Sequence, residues 1–367
     1  MHNAARFRRG FGTLALAALG LESSGCAVIS HTPHEPAARP VLLDAAFAPP
    51  PVFEQARAEP APAIAPLAPD RSRYERYRLE FPPVADGGGS PIALTADLHR
   101  SLEPGARRLV IVLPIWGSAD FPQRKVVETL LERSAGALHV IAVHGGEALV
   151  HWKALARAGD ESRFIGLMRD SARRVGSTVV ALRQLVDWIE QNGEVEIDIV
   201  GFSMGALVAS MALGVDDRLS GGVLMMGGAG PAEILATCGS RKVRRVRRNA
   251  QTRFGWTDAE LRAVMDGFFA EGDARRFSGR YDSGRILIID GLLDGCMNAD
   301  SREALWEATG RPERYRLLTT HRWAFLALTP LARNMAGRMI HDFIASRRAP
   351  SAPPRASGYL TASLDRP

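Results

Sequence analysis

The chain has 367 residues, of which 46% are hydrophobic, enough for one large α/β domain or two small ones. Its formal charge of +6 is moderate and gives no reason to expect a nucleic-acid-binding protein. Three arginines and one glutamate lie in the first 25 residues, so the rest of the chain carries +4 (+6 less +2). No metal-ligand spacing is present in the sequence, so we expect no metal site. The sequence also has no visible internal repeat.

Residues 1–25 have the pattern of an export signal. Arginines precede the apolar run 11–21, which is too short to span a bilayer as a stable helix. Small residues then stand directly before Cys26, which resembles a bacterial lipobox, where the cysteine receives a diacylglyceryl group, although Ser23 replaces the usual leucine. We therefore expect a lipoprotein of the cell envelope, anchored in the outer membrane through Cys26 and facing the periplasm. Cleavage without lipidation, or retention of the segment, is the alternative.

Residues 26–72 are dominated by alanine and proline, and no apolar period is visible in them. This composition predicts an extended, disordered tether. The C-terminal segment 349–367 is similar in character and is also predicted to be disordered. The folded domain is therefore expected to occupy residues 73–348.

The domain begins with two alternating segments, 77–81 and 92–98, which are separated by a glycine-rich turn and predict a hairpin. Apolar runs then predict six further strands, at 108–114, 138–143, 195–200, 221–226, 285–291 and 313–320. Helical patterns lie between several of these strands, one opening at Pro122 and another covering 178–189. Such alternation is typical of an α/β fold with a mostly parallel sheet and helices on both faces.

The most informative motif is Gly201-Phe202-Ser203-Met204-Gly205, a G-x-S-x-G sequence between a predicted strand and the helical run 206–213. A strand that turns sharply into a helix lifts a serine hydroxyl clear of the sheet, and small flanking residues permit the strained turn. Two further reactive side chains follow later strands. Asp294 comes after the strand 285–291, and His321 comes after the strand 313–320.

This order of serine, acid and histidine, each after a strand, resembles the α/β-hydrolase family over about residues 75–347. The resemblance implies that Ser203 is the nucleophile, His321 the general base and acid, and Asp294 the acid that orients the histidine. Asp290 competes for the role of the acid. It lies within the predicted strand, whereas the orienting acid of the family lies in a loop, which favours Asp294.

The resemblance also implies an oxyanion hole with two backbone N–H donors. One is Met204, directly after the nucleophile, and the other comes from the loop after the strand 108–114. Trp116 is the predicted second donor, with Ile115 next, although many relatives carry His-Gly where this chain has Pro-Ile-Trp-Gly. The segment His144-Gly145-Gly146 looks similar to that motif but follows a later strand, so we interpret it as a glycine turn.

The segment 228–283 is interpreted as a helical cap, because the family often carries an insertion at this point. Thr257 and Glu260 form a capping box at the start of a helix. The helix carries one apolar stripe, made of Leu261, Val264, Met265, Phe268 and Phe269. The stripe either faces a lipophilic substrate or packs within its own subdomain. The basic run 241–248 attracts anionic lipid headgroups or an anionic substrate, or it is simply a solvated helix face.

Besides Cys26, the chain has two cysteines, Cys238 and Cys296. In an oxidising periplasm they are able to pair. Alternatively, Cys296 is a free thiol beside the loop that carries the acid, and the sequence leaves both possibilities open.

Together these features predict a serine hydrolase that cleaves a carboxylic ester or a related acyl bond through an acyl-enzyme on Ser203. The expected substrate is a small-molecule or lipid acyl compound, and no cofactor is required. Alternatives are a peptidase or acyltransferase with the same three residues, or a non-catalytic α/β-hydrolase-like binding protein at the cell envelope. The sequence gives no indication of the oligomeric state.

Overall fold

A computed structural model describes residues 27–34, 49–53, 61–69, 71–83, 92–117, 120–146, 148–193 and 195–347. The predicted export signal, the lipidation site Cys26 and the C-terminal segment 349–367 lie outside these residues. Among the residues described, no helix combines the length and the apolarity that crossing a bilayer requires.

The described residues form one ten-stranded sheet. Its strands are β1 (Val28–Thr32), β2 (Ala63–Leu67), β3 (Tyr74–Glu80), β4 (Thr95–Ser101), β5 (Arg108–Val112), β6 (His139–Val143), β7 (Glu196–Phe202), β8 (Leu219–Met225), β9 (Ile286–Gly291) and β10 (Glu313–Leu317). Their order is β1-β10-β9-β8-β7-β5-β6-β4-β3-β2. The strands β5 to β10 are parallel, and the remaining four add antiparallel pairs at the two sides. The predicted mostly parallel sheet and the β3–β4 hairpin are therefore confirmed.

Helices cover both faces of this sheet. They are α1 (Phe121–Arg133), α2 (Trp152–Leu155), α3 (Glu161–Asn192), α4 (Met204–Val215), α5 (Pro231–Thr237), α6 (Arg241–Phe254), α7 (Asp258–Phe269), α8 (Ala299–Ala308) and α9 (Met335–Ser346). All residues of β5 are buried, and they alternate between two cores. Leu109 and Ile111 pack with α3 and α4, whereas Val110 and Val112 pack with α1 and α9. A strand buried on both faces needs a continuous apolar run, which explains why these strands were easy to predict.

The prediction of a disordered tether over 26–72 is wrong in three described places. β1 pairs with β10, β2 pairs with β3, and a short 3-10 turn places Phe53 in the core. The ring of Phe53 lies 6.2 Å from that of Phe277, and its carbonyl accepts a hydrogen bond of 2.7 Å from Arg183. An edge strand is held by backbone hydrogen bonds to a single neighbour, so it need not show an apolar period and tolerates a proline such as Pro66.

The segment between β8 and β9 contains α5, α6 and α7. α7 begins with the predicted capping box, in which the Thr257 side chain accepts from the Glu260 N–H and the Glu260 carboxylate accepts from the Thr257 N–H. Leu261, Met265 and Phe269 of the apolar stripe are buried in the same core as α3 and α5. Their burial favours a helix packed within the domain over a stripe presented to substrate.

Candidate active site

The turn between β7 and α4 holds Ser203 in an unusual conformation. Its φ of 53° and ψ of −114° lie in a region that side-chain-bearing residues rarely adopt. The backbone N–H of Ser203 donates to the Met225 carbonyl at 2.9 Å, which ties the turn to the end of the neighbouring strand β8. Because the strand ends here and the helix begins at Met204, the serine side chain stands at the carboxyl edge of the sheet.

The two glycines of the motif are required by close backbone contacts. A Cβ on Gly201 would lie 2.2 Å from the Gly205 carbonyl oxygen, and a Cβ on Gly205 would lie 2.6 Å from the Pro114 carbonyl oxygen. Neither position has room for a side chain without backbone displacement. The second contact also brings the loop after β5 directly against the start of α4.

The structure brings Ser203, His321 and Asp294 together. His321 Nε2 lies 2.8 Å from Ser203 Oγ, and His321 Nδ1 lies 2.7 Å from Asp294 Oδ2. The three residues follow β7, β10 and β9, whose carboxyl ends share one edge of the sheet. Since a carboxylate accepts hydrogen bonds, Nδ1 of the histidine donates to Asp294, and Nε2 is left to accept the serine proton.

Asp294 is held in place by its own loop. Its side chain is fully buried, and Oδ1 accepts hydrogen bonds from the backbone N–H groups of Cys296 at 2.7 Å and Met297 at 2.9 Å. Both carboxylate oxygens are therefore engaged, and the orientation toward His321 is fixed. Asp290, the other candidate acid, instead forms a buried ion pair with Arg314, with Oδ2 2.6 Å from Nη2.

Two supports of this loop could not be established from the sequence. Arg302 of α8 is buried, and its guanidinium donates to the carbonyls of Leu292, Asp294 and Met297. Cys296 is joined to Cys238 by a disulfide bond, which settles the alternative that the sequence left open. The Gly239 N–H also donates to the Gly295 carbonyl at 2.8 Å, so the end of α5 is fastened to the acid loop. An arginine in an amphipathic helix gives no sequence signal for such a role.

The two predicted oxyanion donors lie on either side of the contact between the β5 loop and α4. Met204 is the first residue of α4, where helix N–H groups have no partner within the helix. Trp116 is a buried residue in the loop that touches Gly205 through Pro114. Ile115 is only partly buried and packs against the core formed with α1 and α9. The amide of Met204 is well placed to stabilise negative charge near Ser203, because the N-terminus of a helix favours anions.

The segment His144-Gly145-Gly146 has structural contacts. His144 Nε2 lies 3.2 Å from Asp97 Oδ1, and a Cβ on Gly145 would lie 2.7 Å from the Pro114 side chain. Burial of Asp97 opposes its ionisation, but hydrogen bonds from His144, Arg78 and Arg76 outweigh this and hold the pKa of Asp97 below its ordinary value. The segment therefore packs against the loop after β5 through Gly145, while His144 pairs with Asp97.

Within the described part of the chain, no group of three or more histidine, cysteine, aspartate or glutamate side chains is arranged to hold a metal ion.

No family model matches the chain, and no curated protein is significantly similar to it in sequence. Solved structures are similar in fold. Acetyl xylan esterase 1 from a Thermoanaerobacterium species is 13% identical with a TM-score of 0.50, covering 74% of this chain and 84% of that one. An acetyl xylan esterase from a Paenibacillus species is 13% identical with a TM-score of 0.53, covering 72% and 84%. The chain therefore has the α/β-hydrolase fold.

Proposed function

We propose that this protein is a serine hydrolase that cleaves a carboxylic ester through an acyl-enzyme on Ser203. The observation that carries the proposal is the continuous chain of short hydrogen bonds from Ser203 through His321 to the buried Asp294. The strained backbone at Ser203 supports it, since such strain persists where the surrounding structure enforces it, often at active sites. Ester hydrolysis takes precedence over amide hydrolysis because two fold neighbours are named acetyl xylan esterases.

In the proposed reaction, Ser203 Oγ attacks the ester carbonyl while His321 Nε2 takes its proton. The N–H groups of Met204 and Trp116 stabilise the oxyanion of the tetrahedral intermediate. His321 then gives the proton to the leaving alkoxide, and the acyl group remains on Ser203. A water molecule, deprotonated by the same histidine, then attacks the acyl carbon. The histidine returns that proton to Ser203 Oγ as the acyl–oxygen bond breaks and the acid leaves. Asp294 keeps the Nδ1–H tautomer in place and stabilises the imidazolium that forms in both steps.

The first experiment is labelling of the purified protein with a fluorophosphonate probe. We expect wild type to be labelled and to hydrolyse 4-nitrophenyl acetate, and the Ser203→Ala variant to do neither. Ser278→Ala is the matched control, because Ser278 is exposed and should leave both signals unchanged. A folded wild-type protein that is neither labelled nor active would contradict the proposal and favour a binding protein. Transfer of the acyl group to an added alcohol in preference to water would identify an acyltransferase.

We also propose that a lipid anchor on Cys26 holds the candidate site close to a membrane, where a small-molecule or lipid acyl substrate reaches it. Ala27 directly follows Cys26 in sequence, and its carbonyl accepts a hydrogen bond of 2.8 Å from the N–H of Leu318, three residues before His321. Large apolar side chains are exposed around this edge, namely Ile29 (52%), Leu293 (59%), Leu318 (37%) and Trp323 (56%). Aromatic and aliphatic groups beside an anchor suit a membrane interface.

Metabolic labelling with an alkyne fatty acid in a bacterial host tests the anchor. We expect the label on wild type and its loss in Cys26→Ala, together with release of the protein from the membrane fraction. Equal labelling and equal membrane association of the two proteins would contradict the proposal.

A further inference from the structure

A strongly basic cleft adjoins the loop after β5, which carries the predicted oxyanion donor Trp116. It has a volume of about 1200 Å³ and runs between α6 and the segment that contains α2. Six exposed cationic side chains line it, namely Lys153, Arg157, Arg241, Lys242, Arg245 and Arg248. No aspartate or glutamate is among the described lining residues, and within the described part of the chain none of the six forms an ion pair with a carboxylate.

The walls of the cleft are fixed in relation to each other. Asn249 of α6 donates to the carbonyls of Leu155 at 2.9 Å and Ala158 at 3.1 Å. Val246 and Ala250 of the same helix are buried in the core. Four of the six basic side chains are therefore carried on a helix that is fixed to the core, so that like charges are held close together along the cleft. Such an arrangement concentrates positive potential and is stabilised by a bound anion.

The cleft reaches the loop of the predicted oxyanion donor. Gly117 lines it, and Lys242 Nζ donates to the Gly117 carbonyl at 3.4 Å. Gly117 directly follows Trp116, and the same loop contacts Gly205 of the G-x-S-x-G motif through Pro114. A molecule whose ester group lies at Ser203 is thus able to extend along this loop into the cleft.

We infer that the cleft binds an anionic group of the substrate, so that the preferred substrate is an ester that also carries a carboxylate, sulfate or phosphate. This inference rests on the proposed ester hydrolysis at Ser203. Arg245 and Arg248 are three residues apart on α6, and both line the cleft. Two guanidinium groups at this spacing bind a planar or tetrahedral anion through several N–H donors at once. Arg244 lies on the same helix and is exposed, but it does not line the cleft.

The test compares esters that differ in one charge. In the first pair, phenyl acetate is neutral and 4-acetoxybenzenesulfonate carries its charge on the alcohol side. In the second pair, 4-nitrophenyl hexanoate is neutral and mono-4-nitrophenyl adipate carries its charge on the acyl side. In the full chain, we expect the double variant Arg245→Ala/Arg248→Ala to lose about tenfold or more in kcat/KM for the charged member of at least one pair. The neutral member should change by less than about twofold, because the uncharged ester makes no ionic contact. Arg244→Ala is the matched control and should leave the ratio of charged to neutral ester unchanged.

Raising NaCl from about 50 to about 500 mM should lower kcat/KM of wild type for the charged ester and not for the neutral one. If the double variant hydrolyses both members of both pairs like wild type, the inference is wrong while the proposed function stands. If no ester is hydrolysed, calorimetric titration with 4-acetoxybenzenesulfonate decides. Binding that the double variant loses supports an anion site without hydrolysis, and no binding overturns the inference. If the double variant loses binding to phosphatidylglycerol vesicles but keeps the wild-type ratio of charged to neutral ester hydrolysis, the cleft binds a membrane surface instead.

Discussion

Replacing each of the two candidate acids by asparagine should separate catalysis from stability. In Asp294→Asn, the amide oxygen is expected to take the place of Oδ1, which accepts from the backbone N–H groups of Cys296 and Met297. The amide NH₂ then faces His321 Nδ1 and forces the proton onto Nε2. That tautomer cannot accept the proton of Ser203. The loss in kcat should be on the order of 10⁴-fold, about 5 kcal/mol in the barrier, while the free energy of unfolding changes by less than about 1 kcal/mol.

Asp290→Asn should have the opposite effect. Asp290 Oδ2 accepts from Arg314 Nε at 2.7 Å and from Nη2 at 2.6 Å, and both side chains are at most 2% exposed. Removing the negative charge leaves a buried guanidinium with Glu303 as its remaining anionic partner at 2.8 Å, and that glutamate side chain is 44% exposed. Breaking one partner of a buried pair costs about 3 to 5 kcal/mol, and the remaining glutamate places the loss near 3 kcal/mol. The kcat per active site should stay within about threefold of wild type, because no hydrogen bond to His321 is lost.

The assays are urea unfolding followed by tryptophan fluorescence and hydrolysis of 4-nitrophenyl acetate, with active sites counted by fluorophosphonate titration. Counting active sites corrects the rate for any unfolded fraction in the less stable variant. The assignment would be refuted if Asp290→Asn abolished turnover at unchanged stability while Asp294→Asn remained active. Equal losses of activity in both variants would also refute it.

Three further experiments test the glycine turn at Ser203, the disulfide bond beside the acid loop, and the buried His139 of β6. Gly201→Ala should lower the free energy of unfolding by roughly 3 kcal/mol or more and remove most of the activity, because its Cβ would lie 2.2 Å from the Gly205 carbonyl oxygen. Thermal unfolding and ester turnover measure the two effects. Reduction of the Cys238–Cys296 bond, which closes a 58-residue separation, should lower stability by about 2 to 4 kcal/mol in urea unfolding. Burial lowers the pKa of His139 to about 4 from 6.5. The unfolded chain therefore binds more protons between these values, and the free energy of unfolding should fall by about 3 kcal/mol as the pH drops from 6.5 to 4.

Each of these changes has its own control. Gly267→Ala in α7 meets no atom within 4 Å and should be neutral or slightly stabilising, so an equal loss there would remove the steric argument for Gly201. A reductant should have no effect on the Cys238→Ser/Cys296→Ser variant. Asparagine at position 139 keeps an acceptor for the Ser101 N–H, which donates to His139 Nδ1 at 3.0 Å. If the free energy of unfolding of His139→Asn falls as much as that of wild type between pH 6.5 and 4, burial of a neutral histidine does not cause the fall.

The parts of the fold that could be predicted are those in which sequence pattern and burial coincide. β5, β7 and β9 are buried nearly throughout and therefore appear as apolar runs. The G-x-S-x-G motif was informative because both glycines are required by contacts under 3 Å. Asp294 and His321 were found from their positions after strands, and the structure places both side chains in one hydrogen-bonded chain with Ser203. Their catalytic roles remain a prediction.

The supports of the acid loop could not be predicted, because they join residues far apart in sequence through groups common in any protein. Arg302 donates to three carbonyls of the loop, and a carbonyl acceptor leaves no mark on the sequence. The disulfide between Cys238 and Cys296 depends on α5 ending beside the loop. Neither the arginine nor the cysteine pair follows from periodicity, which reports burial on one element but not the neighbours of that element.

The edge strands show why composition was misleading at the start of the domain. β1 is exposed on alternate residues and holds the sheet through backbone pairing with β10, together with stacking of His31 on Tyr315 at 4.2 Å. β10 in turn leads into the loop that carries His321. A chain beginning at residue 73 would therefore lack a strand that borders the candidate site, together with the buried Phe53. The folded unit therefore includes β1, which pairs with the strand that leads to His321.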